Sequence, residues 1–443
     1  MSNFNCIIMG AAGRDFHDFL TFFQKNPQFR VRCFTATQIP FIEQRTFPAS
    51  LAGPGYEEDI PIFSETRLEE LIQRYKVDFV FFSYSDLSHR EVMHRASRVQ
   101  AAGASYVLLG PQHTELVSTK PVLSVTAVRT GAGKSPISQA LTKHLSNRGI
   151  RVGVLRHPMP YGDLAKQAVQ RFATEADLDR HECTVEEREE YEPYIERGLV
   201  IYAGVDYAKI LAEAEKESDV ILWDGGNNDT SFVRAGLRIV VADALRPGHE
   251  LDYYPGETNF RRADILVINK VSQAPAEAVE RVRNHALTEH PNAVLIESDL
   301  RLETPDEAMI RGKRVLVVED GPTLTHGGMS FGAGVLAART FGAKEIIDPR
   351  PHAVGTIAEA YAKFPHLGAL LPALGYAEGQ RQELRATIEN AKPEVVIDAS
   401  PARLGRLLDL DVPVARISYA YQQKSGPDLI ELVDAFLAGQ GVK

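Results

Sequence analysis

The stretch PVLSVTAVRTGAGKSPISQALTKHLSNRG, Pro121 to Gly149, reads as a strand, a glycine turn and a helix in immediate succession. PVLSVTAV is rich in β-branched residues, ISQALTKHL repeats its apolar residues at helical spacing, and Gly149 closes the run. Pro136 falls in the first helical turn, where its missing N–H is tolerated. Between strand and helix, the glycines of RTGAGKS (Arg129 to Ser135) let successive backbone N–H groups turn onto closely spaced anionic oxygens without Cβ clashes. Thr130, Gly131, Ala132, Gly133, Lys134 and Ser135 are therefore candidates to hold a nucleoside triphosphate. Lys134 would reach the β and γ phosphates and the Ser135 hydroxyl would coordinate Mg2+, with the positive end of the helix facing the anion. The usual first glycine of such a loop is replaced by Val128, so the pattern is degenerate.

Two further runs belong with the loop. In DVILWDGGNND, Asp224 ends a hydrophobic strand and Gly225 and Gly226 allow a sharp turn, which suits a carboxylate that holds Mg2+ directly or through water. Asp243, at the end of RIVVAD, is the competing candidate. In ILVINKV, Asn269 and Lys270 fall where many GTP-binding loop proteins carry Asn-Lys-x-Asp, and both are assigned to the nucleotide site. Ser272 stands where the guanine-reading aspartate would be, so ATP is favoured over GTP.

Short aliphatic runs alternate with longer mixed stretches along most of the chain, the pattern of strand, helix and strand around mainly parallel sheets. The class is α/β. Three domains are expected: a Rossmann-like N-terminal domain at 1–120, a P-loop NTPase domain at 121–345 and a small C-terminal α/β lobe at 346–443. In the first, Gly10 and Gly13 follow a strand and precede a helix, without the full G-x-G-x-x-G spacing of a dinucleotide site. A substrate or partner role is preferred there over NAD, and Arg14, Asp15 and His17 are candidates to face a cleft. The acidic run from Glu175 to Arg197 reads as a solvated helix, with a mobile lid over the nucleotide as the sharper alternative. The Gly-rich stretch from His326 to Val335 lies near the second boundary.

Composition narrows the function classes. Hydrophobic residues make up 44% and charged residues 24%, and no run approaches the roughly 20 apolar residues that span a bilayer. No basic segment precedes the strand-like run at Cys6, so no signal peptide is expected. The three cysteines, Cys6, Cys33 and Cys183, form no CxxC pair, which argues against disulfides and structural zinc and fits a cytoplasmic setting. With a net charge of -10 and no basic cluster, nucleic acid and membrane are not expected partners.

Basic residues after two strand ends complete the candidate site. Arg156 and His157 follow VGVL, and Arg246 and His249 follow RIVVADAL, at the carboxyl edge where open α/β sheets bind ligands. All four are candidate substrate-binding residues.

The order of these elements resembles the P-loop branch that includes dethiobiotin synthetase and the nickel-incorporation GTPases. Arg129 stands at the position of that branch's signature lysine. Longer segments, namely VRTGAGKS, VLRHPMPYGD, EEREEYEP, YAGVDY, WDGGNND, RPGHELDYYPGE and ADILVINK, look like the cyclic 2,3-diphosphoglycerate synthetase family. The resemblance covers most of the chain. It implies a cytoplasmic homodimeric ligase that uses ATP and Mg2+ to join the two phosphates of 2,3-diphosphoglycerate, or acts on a related small anionic phosphorylated substrate. On that reading Lys134, Arg129, Asp224, Arg156 and His157 carry the catalysis, by positioning and charge neutralisation. The alternative is a regulatory or metallochaperone-type P-loop NTPase, and a nicotinamide-dependent enzyme ranks last.

Overall fold

A computed structural model describes residues 3–11, 13–37, 45–157, 162–226, 229–320, 332–375, 378–400 and 403–442. Parts of three stretches singled out above, 158–161, 227–228 and 326–331, lie outside the described residues. The chain divides into two compact units: Met1–His181 with Tyr194–Asp299 and Gln423–Lys443, and Glu182–Pro193 with Leu300–Gln422.

The first unit opens with a six-stranded sheet in the order Thr46–Phe47, Ile60–Ser64, Phe29–Ala36, Phe4–Met9, Phe79–Phe82, Ser105–Leu108. The five longer strands pair in parallel, and the first strand of the chain lies centrally, as in doubly wound sheets. One face carries a phenylalanine-rich core of Phe16, Phe19, Phe23, Phe34 and Phe47. Ile60–Ser64 escapes a sequence reading because Pro61 interrupts a short run.

A nine-stranded sheet follows, ordered Gln170–Phe172, Val200–Ala203, Val152–Arg156, Val220–Asp224, Val122–Ala127, Leu237–Asp243, Ile265–Asn269, Val294–Glu303, Ser418–Ser425. Gln170–Phe172 pairs antiparallel, and the strands from Val200–Ala203 to Val294–Glu303 are parallel. Strands covered on both faces read as unbroken apolar runs, which is why VLSVTA, VILW and RIVVA were legible. Val122–Ala127 sits between Val220–Asp224 and Leu237–Asp243, so the loop emerges flanked by strand ends that close on Asp224 and Asp243. Trp223, Tyr202, Tyr207 and Phe232 pack one side of this sheet; Val240, Phe260, Leu266 and Val282 pack the other.

The second unit holds a parallel sheet with Arg314–Asp320 paired to Glu345–Ile346, Leu371–Ala373 and Val395–Ala399, and Val414–Arg416 at the edge. Val315, Val317, Ile397 and Ala415 are buried in its core. The α/β class with mainly parallel sheets is thus as expected from the sequence. Among the described residues no helix is long and apolar enough to cross a membrane, and no group of three or more His, Cys, Asp or Glu is arranged to hold a metal ion.

Candidate active site

Helix Lys134–Asn147 begins directly after the glycine turn, with Gly131 at φ 77 and Gly133 at φ 104, backbone that a Cβ would strain. Ala132 N–H closes the turn on the Arg129 carbonyl at 3.2 Å. Three consecutive carbonyls of the loop are then held from outside it. Arg246 Nη2 donates to Thr130 O at 2.7 Å, Lys270 Nζ to Gly131 O at 2.7 Å and Asn269 Nδ2 to Ala132 O at 2.8 Å. Asn269 is fixed in turn by Ser298 Oγ at 3.0 Å. The Asn-Lys pair therefore braces the loop, and Lys270 adopts left-handed backbone (φ 65) to do so. Asp299 accepts from the Ser272 backbone N–H at 2.9 Å and from its hydroxyl.

The missing glycine at Val128 has a counterpart elsewhere. Gly256 opens helix Gly256–Arg262, and a Cβ there would lie 2.2 Å from the Val128 carbonyl oxygen. Close approach is thus provided by the neighbouring helix. Gly256→Ala must push the loop's entry strand or its own helix aside, and a misplacement of this kind is expected to weaken ATP binding about 100-fold in calorimetric titration. Parental affinity in that variant would refute the bracing role.

Asp224 is completely buried and collects four donors. Lys134 Nζ and Ser138 Oγ donate to Oδ1 at 2.8 and 2.9 Å; Arg156 Nη1 and Tyr194 OH donate to Oδ2, each at 2.6 Å. Burial by itself raises this carboxyl's pKa, but the charges of Arg156 and Lys134 and the hydrogen bonds outweigh it and hold it well below the usual carboxylate range. Among the described contacts, the serine hydroxyl reaching Asp224 is that of Ser138, about one helical turn beyond Ser135. Asp243 forms a second centre, accepting from Lys270 Nζ and Arg246 Nε, both at 2.9 Å, and is likewise depressed against the effect of burial.

The acidic segment behaves differently from the solvated surface expected of it. Helices Glu175–Arg180 and Val185–Ile195 form, but Leu178, Tyr191 and Tyr194 are buried, and Tyr194 supplies one of the donors to Asp224. Two tyrosines spaced one helical turn apart were the available signal.

The other cations sort into separate contacts. Arg129 donates to Asp86 Oδ1 at 2.6 Å and to His249 Nδ1 at 2.8 Å, with its guanidinium 3.6 Å from the centre of the Tyr253 ring. His249 is lowered by partial burial and by the charges of Arg129 and Arg246, which suits it as the neutral acceptor. Arg246 and His249 thus support the loop, whereas Arg156 stands on Asp224. His17 stacks on Phe232 at 4.0 Å and meets the Thr114 carbonyl at 2.8 Å, and Asp15 accepts from the Gly13 and Phe16 backbone N–H groups. Arg14 bonds Asp229 and the Thr230 carbonyl.

His157 is buried beside these groups. Burial first, and then the charges of Arg14, Arg156 and Lys134, push its pKa down to about 3 from 6.5. A histidine depressed on folding leaves the unfolded chain binding the extra proton between those values, so stability falls as pH drops from 6.5 toward 3. Replacement by glutamine, which does not titrate, is expected to flatten that slope by up to about 1.4 kcal/mol per pH unit, read from denaturant unfolding at pH 6.5 and 4.5. An unchanged slope would contradict it.

Sequence reasoning missed Tyr194, Ser138, Asp86, Gly256 and Asp229, each of which acts across elements distant in the chain.

No family model matches the chain. It is 56% identical over 428 residues to the arginine synthetase ArcE of Thermococcus kodakarensis, across 97% of this chain and 96% of that protein. A tetraacyldisaccharide 4'-kinase of an Anaeromyxobacter species is 29% identical over 220 residues, 45% of this chain and 57% of the kinase. Among solved structures, LpxK of Aquifex aeolicus in complex with ATP aligns with 84% of this chain and 99% of that one, at a TM-score of 0.45 and 14% identity.

Proposed function

Because this chain belongs to the family of the arginine synthetase ArcE, we propose that it is an ATP-dependent synthetase whose acceptor is a ureido amino acid and whose product carries a guanidinium. The observation that carries the choice of acceptor is the 56% identity to the arginine synthetase across nearly the whole chain. Lys134 and Arg156 share Asp224, Lys270 and Arg246 share Asp243, Arg129 meets Asp86, and His157 is neutral. These five cations face three carboxylates, and the surplus suits the triphosphate.

In this reading the amides of Gly131 and Gly133 and the Lys134 ammonium hold the triphosphate. The γ phosphoryl group passes to the ureido oxygen as its bond to ADP breaks. Ammonia then adds to the ureido carbon, the carbon–oxygen bond breaks, and phosphate leaves with a proton from the ammonia. Arg156 and Lys134 neutralise the charge on the transferring group. The Ser135 hydroxyl would hold Mg2+, with Asp224, whose two oxygens each already accept two donors, reaching it through water. Bound there, Mg2+ would supply charge neutralisation to the triphosphate.

The segment match to the cyclic 2,3-diphosphoglycerate synthetase family favours a second reading, closure of a phosphoanhydride within 2,3-diphosphoglycerate. Purified protein with ATP and Mg2+ should release ADP and form arginine when given citrulline and ammonia. ADP release confined to 2,3-diphosphoglycerate would replace this reading with the second, and ADP release dependent on neither acceptor would overturn both.

A further inference from the structure

Among the described residues, His157 Nδ1 and Asp229 Oδ2 are buried without a hydrogen-bond partner. Their residues are 7% and 1% exposed, and the two atoms lie 3.6 Å apart, too far for a hydrogen bond between them. Buried polar groups in folded chains are almost always satisfied, by protein, ordered water or a bound group, so a facing pair of this kind has room in its bonding for a ligand. The rest of Asp229 is held. Asp229 Oδ1 accepts from Arg14 Nε and from the Thr230 N–H at 2.9 Å, and the Asp229 carbonyl accepts from Asn259 Nδ2 at 3.3 Å. Arg14 lies over the Phe232 ring at 4.6 Å, and the His157 ring is tilted 5.7 Å from the same ring. A Cβ on Gly226 would come within 2.9 Å of the His157 Cβ, so the turn after Asp224 presses on the imidazole.

The pair also lies beside the reacting end of the site. His157 follows Arg156, which shares Asp224 with Lys134, and Asp229 comes five residues after Asp224.

We propose that Asp229 Oδ2 and His157 Nδ1, with Arg14 as the positioning residue, bind the nitrogen-bearing end of the acceptor, a ureido group before reaction and a guanidinium after it. The assignment rests on the synthetase reading above. The chemistry of the two atoms selects the class. A carboxylate oxygen takes an N–H donor, and the neutral imidazole nitrogen meets a second polar atom of the same planar group. Asp229 and Asp18, the latter 3.4 Å from Arg14, both pair with its guanidinium and hold it in place.

The test uses L-arginine and L-citrulline as probes of the full-length protein, with ATP titrated separately. Asp229→Asn retains shape but replaces the acceptor oxygen, and it is expected to weaken arginine binding and raise the citrulline KM roughly tenfold to a hundredfold, with ATP affinity within about twofold of the parent. Should Asp229→Asn fold poorly, as judged by lost ATP binding, His157→Gln supplies the second measurement, with roughly a tenfold loss of arginine affinity expected. Parental arginine affinity in a variant that still binds ATP overturns the pocket while leaving the synthetase reading intact. Failure of the parent itself to bind arginine or citrulline overturns that reading and the pocket with it.

Discussion

Lys134→Ala should lose about three orders of magnitude in acceptor-dependent ADP release while remaining folded. The lysine is the first residue of the helix behind the loop, and its ammonium lies 2.8 Å from Asp224 Oδ1 with only 10% of the side chain exposed. Its removal takes away the loop's own charge on the terminal phosphates, but Asp224 keeps Arg156, Ser138 and Tyr194. Turnover should therefore suffer far more than stability. Parallel measurement of ADP release and of thermal unfolding checks this, and a variant that turns over at the parental rate would remove the basis for placing a triphosphate on this loop.

Asp224→Ala reverses that balance. Two buried cations, Lys134 and Arg156, would be left facing each other across the gap, and breaking a buried pair by removing one partner typically costs about 3 to 5 kcal/mol. A loss of that size should appear as a large drop in the denaturant midpoint, together with abolished activity. The acid side offers an independent check. A carboxylate depressed on folding contributes stability that is complete above its ordinary value of 3.8 and drains away as pH falls toward the folded value. Asp224→Asn should accordingly be destabilised at neutral pH and lose less further stability than the parent below about pH 4. A parent and variant with parallel acid denaturation curves would count against a strongly ionised Asp224.

Much of this arrangement could be read from sequence because parallel strands are buried on both faces and announce themselves as apolar runs. Strand ends then locate Asp224, Asp243, Arg156 and Asn269 at the sheet's carboxyl edge. Pairings across the chain were not legible in the same way. Tyr194 sits in a run whose composition speaks for solvent, and only packing turns its hydroxyl toward Asp224. Val128 looked like a defect in the loop pattern until Gly256, distant in sequence, supplied the space. Arg246 and His249 read from sequence as substrate groups and Lys270 as a nucleotide group, and only the folded chain shows Arg246 and Lys270 donating to loop carbonyls and His249 meeting Arg129. Asp229 follows the sequence GGNN, where an aspartate ordinarily reads as turn chemistry, and only its pairing with Arg14, far off in the chain, marks it out.

The grip of Arg246 and Asn269 on the Thr130 and Ala132 carbonyls has a consequence for how a triphosphate is received. In a trans peptide plane the carbonyl and the following amide point in opposite directions. Pinning those two oxygens outward orients the amides of Gly131 and Gly133 toward the anion before it arrives. The concavity is moulded in advance by the surrounding scaffold, so capture of the nucleotide need not be accompanied by an ordering of the loop.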